Sequence, residues 1–235
     1  TIQTGGLLYG GTSTKLYVKG SGGAWLNSGS FQAGTSKVIF NHGDVENIVT
    51  VAGTTNFYDI ECGENTTMQP VSGSVLRIAG QGVAYPSSVV DFSTVNNTVE
   101  WNGGDQFVVI PNGISGNSGY YNLILSGSGT KTMMDLSTTI NGDFTTAGTI
   151  TATATDSMYV YGTTTIGSGS TFANGTQTIM LYGDFVNNGT FTPTSGGTMR
   201  FDGDSVKTIS GTSTTTFDGL WIDGGDSVIL ESDIH

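Results

Sequence analysis

The sequence predicts an all-β parallel solenoid. Three observations carry that expectation: a composition suited to pleated surfaces and tight corners, long phrases that recur in the same order, and a short strand-and-turn unit between them. Gly and Thr each number 37 among 235 residues, while only 11% of the chain is charged and 36% is hydrophobic. Thr, Val, Ile, Tyr and Phe fit half-buried pleated surfaces. Gly and Asn fit turns that need positive φ. No stretch carries a 3.6-residue apolar period, so helix is not expected. The low charge and the aromatic content also set the chain apart from disordered sequences.

The recurrence is long-range. The phrase INGDFTTAGTI (Ile140 to Ile150) returns as LYGDFVNNGTF (Leu181 to Phe191). GAWLNSGSFQAGTSKVIF (Gly23 to Phe40) matches GDFVNNGTFTPTSGGTMRF (Gly183 to Phe201) with one residue deleted, Trp25 standing for Phe185 and Phe31 for Phe191. Apolar runs then end at Phe40, Trp101 and Phe201, and are followed by FYDIEC, YYNLIL and FDGLWI. These place Ile60, Leu123 and Leu220 in equivalent positions, with Cys62, Leu125 and Ile222 two residues on. The matches define three modules, about 28–72, 91–138 and 188–234, of roughly 45 residues each. A shorter refrain, apolar-x-apolar-x-Gly, links them as LYVKG, LRIAG, MYVYG and IMLYG.

Each unit is physically coherent. An apolar-x-apolar strand puts two side chains on one face, and a Gly or Asn-Gly corner follows. A meander does not require long-range copies in a fixed order, whereas a solenoid stacks the same unit on itself. Leu181, Phe185 and Phe191 become interior anchors, Gly183 and Gly189 corners, and Asp184 a turn residue. With roughly 20 residues per coil, the whole of 1–235 forms one segment of roughly a dozen coils, on the order of 55 Å long. A β-sandwich is the alternative, since short strands with regular turn signals also suit it. ILESDIH aligns with the start of MMDLSTTINGDF but stops before the counterpart of Ile140, and the chain starts at Thr1 without Met. Both features lead us to expect an internal fragment of a longer chain, in which neighbouring coils of that chain are the first partners.

Charge and cysteine content narrow the function classes. Seven Lys and Arg against 19 Asp and Glu give a formal charge of -12. Nucleic-acid binders need the opposite balance, so no nucleic acid is expected, and anionic membrane surfaces are disfavoured alike. No apolar run reaches the length of a membrane span, so direct membrane insertion is not expected. The lone Cys62 cannot form an internal disulfide and reads as a small buried hydrophobe.

Chemistry-bearing patterns are sparse. His42 and His235 are the two histidines, too few with one cysteine for an ordinary zinc or triad site; His42 reads as a solvent-facing turn residue. No phosphate loop or dinucleotide fingerprint is present, and no cofactor is expected. Glycan-cleaving β-helices need carboxylates or a basic residue projecting from neighbouring coils. Arg77 and Arg200 fall at different points of the coil, so no catalytic residue is assigned and the chain is not expected to be an enzyme. Asp202, Asp204, Asp223 and Asp226 are weak calcium candidates, because Asp-x-Asp turns supply hard oxygen ligands. Their Gly-rich setting reads first as turn chemistry. TITATAT (Thr149 to Thr155) and TSTTT (Thr212 to Thr216) have the residue type of ice-binding arrays. Such arrays need Thr-x-Thr at one place in successive coils, and in the sequence the motif stands in isolated coils; these residues read as ordinary outward strand threonines.

The phrases NTVEWNGG, YYNLILSGSGTKTM, YGDFVNNGTFTPTSGGTMRFDGDSVKTISGT and FDGLWIDGGDSVILESDI resemble the degenerate repeats of very large secreted surface proteins of Bacteroidetes-type bacteria, including gliding-motility adhesins exported by type IX secretion. The resemblance is closest over 95–235. It implies an extracellular, cell-surface, β-rich stalk or adhesin with surface polysaccharide or other surface proteins as partners. It also implies O-glycosylation at Asp-Ser-apolar sites, which here are Ser157, Ser205 and Ser227. The functional expectation is a structural and adhesive segment; the alternative is a polysaccharide-binding or polysaccharide-cleaving β-helix.

Overall fold

The computed structural model describes residues 1–19, 25–41, 48–84, 88–109, 111, 119–223, 225 and 227–234. His42, Asp226 and His235 lie outside the described residues. Every regular element in the described residues is a β-strand, and every strand pairing is parallel. The chain winds as a β-solenoid of about 9 turns. At about 4.8 Å per turn the stack is roughly 40 Å long. The expected dozen coils was too many because corners absorb more residues than the phrases suggest. Phe144 lies opposite Thr164, a coil of 20 residues, while Phe185 lies opposite Ile209, a coil of 24.

Each coil visits three sheets in turn. Asp59–Cys62, Thr67–Pro70 and Val75–Ile78 are followed by Gly82–Ala84, Val89–Val90 and Thr98–Trp101, each paired with its predecessor. In the C-terminal half the order is likewise constant. Thr138–Ile140, Phe144–Thr146 and Thr149–Thr153 stack beneath Met158–Val160, Thr164–Ile166 and Thr171–Ala173. One long sheet runs from Ile48–Phe57 through Phe185–Asn187 to Ser227–Leu230. Ile48–Phe57 is long enough to serve two sheets, pairing with Thr67–Pro70 through its first half and with Val75–Ile78 through its second.

The core is a set of axial rows, because the period-2 alternation of each strand is held in register with the next. One row of the long sheet reads Leu76, Val99, Leu123, Phe144, Thr164, Phe185, Ile209. Another reads Phe57, Ile78, Trp101, Leu125, Thr146, Ile166, Asn187. All of these side chains are buried.

The two copies of the GDF phrase lie two coils apart. Ile140, Val160 and Leu181 stack, as do Phe144, Thr164 and Phe185. Leu181, Phe185 and Phe191 are interior, as the pattern requires. Phe191, however, stacks through Phe172 on Ala152 and not on Ile150. A slip of two residues preserves which face points inward, so both Ile150 and Phe191 remain buried. In the module comparison, Phe40 lies directly beneath Cys62, Trp101 beneath Leu125 and Phe201 beneath Ile222.

Candidate functional site

Outward positions give each C-terminal face its own chemistry. On the six-stranded sheet the outward row runs Thr139, Tyr159, Met180, Arg200, Trp221. One residue beyond the buried Val160, Leu181 and Phe201, and beyond Ile222, which stacks on Phe201 but is exposed, come Tyr161, Tyr182, Asp202 and Asp223 at the corner. The Tyr161 and Tyr182 rings stack 4.5 Å apart at an interplanar angle of 6°, the distance that one coil step imposes. Burial, then the neighbouring Tyr161 and Asp202, push the Tyr182 phenol above its ordinary range. The Arg200 guanidinium lies 5.8 Å from the centre of the Trp221 ring and within 3.2 Å of Asp202. It also donates to Asp223.

Two of the four acidic calcium candidates, Asp202 and Asp223, are thus brought together on one guanidinium. Asp204 is exposed in the adjoining turn. Among the described residues no group of three or more His, Cys, Asp or Glu is placed to hold a metal ion. Arg77 lies on the long sheet, donating to Glu100 at 2.8 Å, away from the face that carries Arg200. Ser205 and Ser227 are exposed, whereas Ser157 is half-buried and its carbonyl accepts the Thr138 N–H at 3.0 Å.

Most other corner carboxylates and amides bind backbone. Asn122 accepts the N–H of Asp143 at 2.9 Å, and Asp143 accepts that of Thr163 at 2.8 Å. Asp59 accepts the N–H of Gln81, Asp105 that of Thr130 and Asp184 that of Thr208. Each side chain reaches forward one coil to a backbone N–H, at a corner for Asp143, Thr163 and Gln81 and within a strand for Thr130 and Thr208, and so gives that donor a partner. Charge-assisted acceptors suit that task, which explains the abundance of acids at corners without a ligand.

Two buried polar groups follow the same logic. Lys131 points inward, and its ammonium donates to the Gly103 and Gly104 carbonyls at 2.8 Å and to Gln106 Oε1 at 2.6 Å. Burial pushes its pKa down to about 8 against the opposing pull of Asp105. The inward parity of Lys131, shared with Met133, was readable in the sequence. Cys62 is buried, as its apolar run implied, and burial raises its thiol to about 11.

The five-stranded sheet overturns the expectation of isolated threonines. Its strands Ser128–Met133, Thr149–Thr153, Thr171–Ala173 and Thr190–Thr192 stack in register. Thr130, Thr151, Thr171 and Thr190 therefore form one outward column, and Thr132, Thr153, Ala173 and Thr192 a second. Thr-x-Thr recurs at one place in three of four successive coils, the third coil carrying Thr171-Phe172-Ala173 there. The spacing between copies is not constant, because corners differ in length, and a fixed-period reading misses the array. A search for Thr-x-Thr with variable corner lengths finds three of its four coils.

The described residues define a parallel β-solenoid in which many corner carboxylates and amides bond to the backbone of the next coil. No known family model, characterised protein or solved structure matches the chain. No helix among the described residues is long and apolar enough to cross a membrane.

Proposed function

We propose that the chain is a structural and adhesive segment of a long extracellular, cell-surface bacterial protein, a stalk or display scaffold for surface attachment or gliding. The observation that carries this reading is the in-register ladder of the long sheet from Ile48–Phe57 to Ser227–Leu230. The corner acids support it further, since their charge is spent on backbone N–H groups and on Arg200. Compartment rests on the resemblance of the repeats to secreted surface proteins.

Tension along the axis loads hydrogen bonds that run between coils, and three sheets share the load. Failure then proceeds coil by coil. One coil of 20 to 24 residues, the spans from Phe144 to Thr164 and from Phe185 to Ile209, releases roughly 70–85 Å of chain. Single-molecule stretching should show length increments of one coil or whole multiples of it. A featureless extension at thermal force, or release of reducing ends from polysaccharide by the protein, refutes the reading. Immunolabelling of intact cells tests the compartment.

A second reading, polysaccharide binding, draws on Tyr161, Tyr182, Trp221 and Arg200, which line one face over adjacent coils. The tyrosine rings cover one another and Arg200 lies over Trp221, so this face offers edges and hydroxyls more than open ring faces. A glycan array separates the two readings.

A further inference from the structure

We propose that the outer face of the five-stranded sheet binds ice. Two columns of threonine, interrupted only at Ala173, run across four successive coils. Neighbouring coils set one repeat of this net at about 4.8 Å, and the i to i+2 step along each strand sets the other at about 6.7 Å. That rectangular net is close to the oxygen repeat on the prism faces of hexagonal ice.

Three further features fit this ligand. Thr130, Thr132, Thr151, Thr153, Thr190 and Thr192 are exposed, and none of their hydroxyls bonds within the described protein. Other threonines do the opposite: Thr55, Thr146 and Thr215 spend their hydroxyls on internal partners. The array hydroxyls are left for water. β-Branching restricts χ1, so methyl and hydroxyl keep a fixed orientation along each column and ordering them costs little side-chain entropy.

The third feature is charge. No charged side chain projects from the outward positions of these four strands, because Lys131 points inward. In a chain of net charge -12, one uncharged, in-register face complements an uncharged water lattice. Its exposed ring is Phe107, on the strand before the array and opposite Thr132; the four threonine strands themselves project neither aromatic rings nor the basic groups that would favour a polyanion. The inference is independent of the display role proposed above.

The test is freezing-point hysteresis of the whole chain together with the habit of ice crystals grown in its presence. The wild-type protein should separate freezing from melting and produce faceted crystals. Thr151→Tyr and Thr190→Lys, each with an unchanged far-UV circular dichroism spectrum, should abolish both effects. Thr165→Lys, on the neighbouring long sheet, should retain them. Wild-type protein with no more hysteresis than an equimolar inert protein overturns the proposal. So does retention of activity in both array variants. Sedimentation showing that the face is instead occupied by a second copy, with hysteresis absent, overturns it as well.

Discussion

Asn27 and Asn187 make the same hydrogen bonds at opposite ends of the solenoid. Asn27 Nδ2 donates to the Thr54 carbonyl at 2.7 Å and to Thr55 Oγ1 at 3.1 Å, while its Oδ1 accepts the Gly29 N–H at 3.1 Å. Asn187 Nδ2 donates to the Thr214 carbonyl at 3.3 Å and to Thr215 Oγ1 at 3.0 Å, and its Oδ1 accepts the Gly189 N–H at 3.2 Å. The backbones of Asn27 and Asn187 lie against Gly53 and Gly211, both at positive φ and both too close for a Cβ. An aromatic trio packs beside each: Trp25, Phe31 and Phe57 at one end, Phe185, Phe191 and Phe217 at the other. A buried amide therefore fixes the corner where the chain leaves the long sheet, and the same solution is used twice.

Replacing either amide should be costly. Asn187→Ala empties a buried position, strands the buried Thr215 hydroxyl and leaves the half-buried Gly189 N–H without its acceptor, and the expected loss is about 1–3 kcal/mol. Equilibrium denaturation in urea measures it. A change smaller than about 0.5 kcal/mol, the range of an ordinary surface substitution, would show that the corner does not depend on the amide.

Thr164 predicts the opposite sign. Its hydroxyl is buried in the row between Phe144 and Phe185 and makes no hydrogen bond within the described protein. Thr164→Val keeps the branched shape and removes an unsatisfied polar atom, so stability should rise by about 1 kcal/mol. A destabilised variant would mean that the hydroxyl has a partner, such as an ordered water.

Lys131 makes stability depend on pH. Its pKa falls from 10.5 to about 8 on folding, so between those values the unfolded chain binds more protons than the folded one. Stability from this group therefore rises with pH across the window. Denaturation midpoints of the wild type and Lys131→Met, compared at both ends of the window, isolate the contribution. An identical pH dependence in the two proteins would rule it out.

Cys62 contributes with the reverse sign. Its thiol rises from 9.0 to about 11 on folding, so the folded chain retains a proton that the unfolded chain has lost, and stability from this group falls as pH rises between them. Burial also shields it from reagents. Labelling by a disulfide reagent in native buffer should be slow and should accelerate with denaturant; immediate stoichiometric labelling would contradict the buried placement.

Much of the fold was legible because alternation survives degeneracy. Leu181, Phe185 and Phe191 declare themselves as interior by spacing alone, and Asp184 by its place at a corner. The coil count was not legible, because corner lengths vary and no local rule fixes how many residues a corner absorbs. The inward polar residues Thr146, Thr164 and Asn187 also break the apolar refrain, which hides the rows they belong to. For the functional faces, Asp202 and Asp223 could be named as acids, but their meeting on Arg200 depends on stacking.

The sequence by itself determined an all-β chain, the interior parity of each strand, the recurrence of one unit, and the acidic, histidine-poor surface. These properties are local or additive, so composition and period-2 alternation suffice to set them. Only the tertiary structure decided which residues from different coils stand side by side. It set Arg200 between two aspartates, Tyr161 against Tyr182, and Thr130, Thr151, Thr171 and Thr190 in one column. Parallel pairing transmits register from coil to coil through backbone hydrogen bonds while the corners take up the variable length. That register, invisible at any fixed sequence period, turns scattered threonines into a surface.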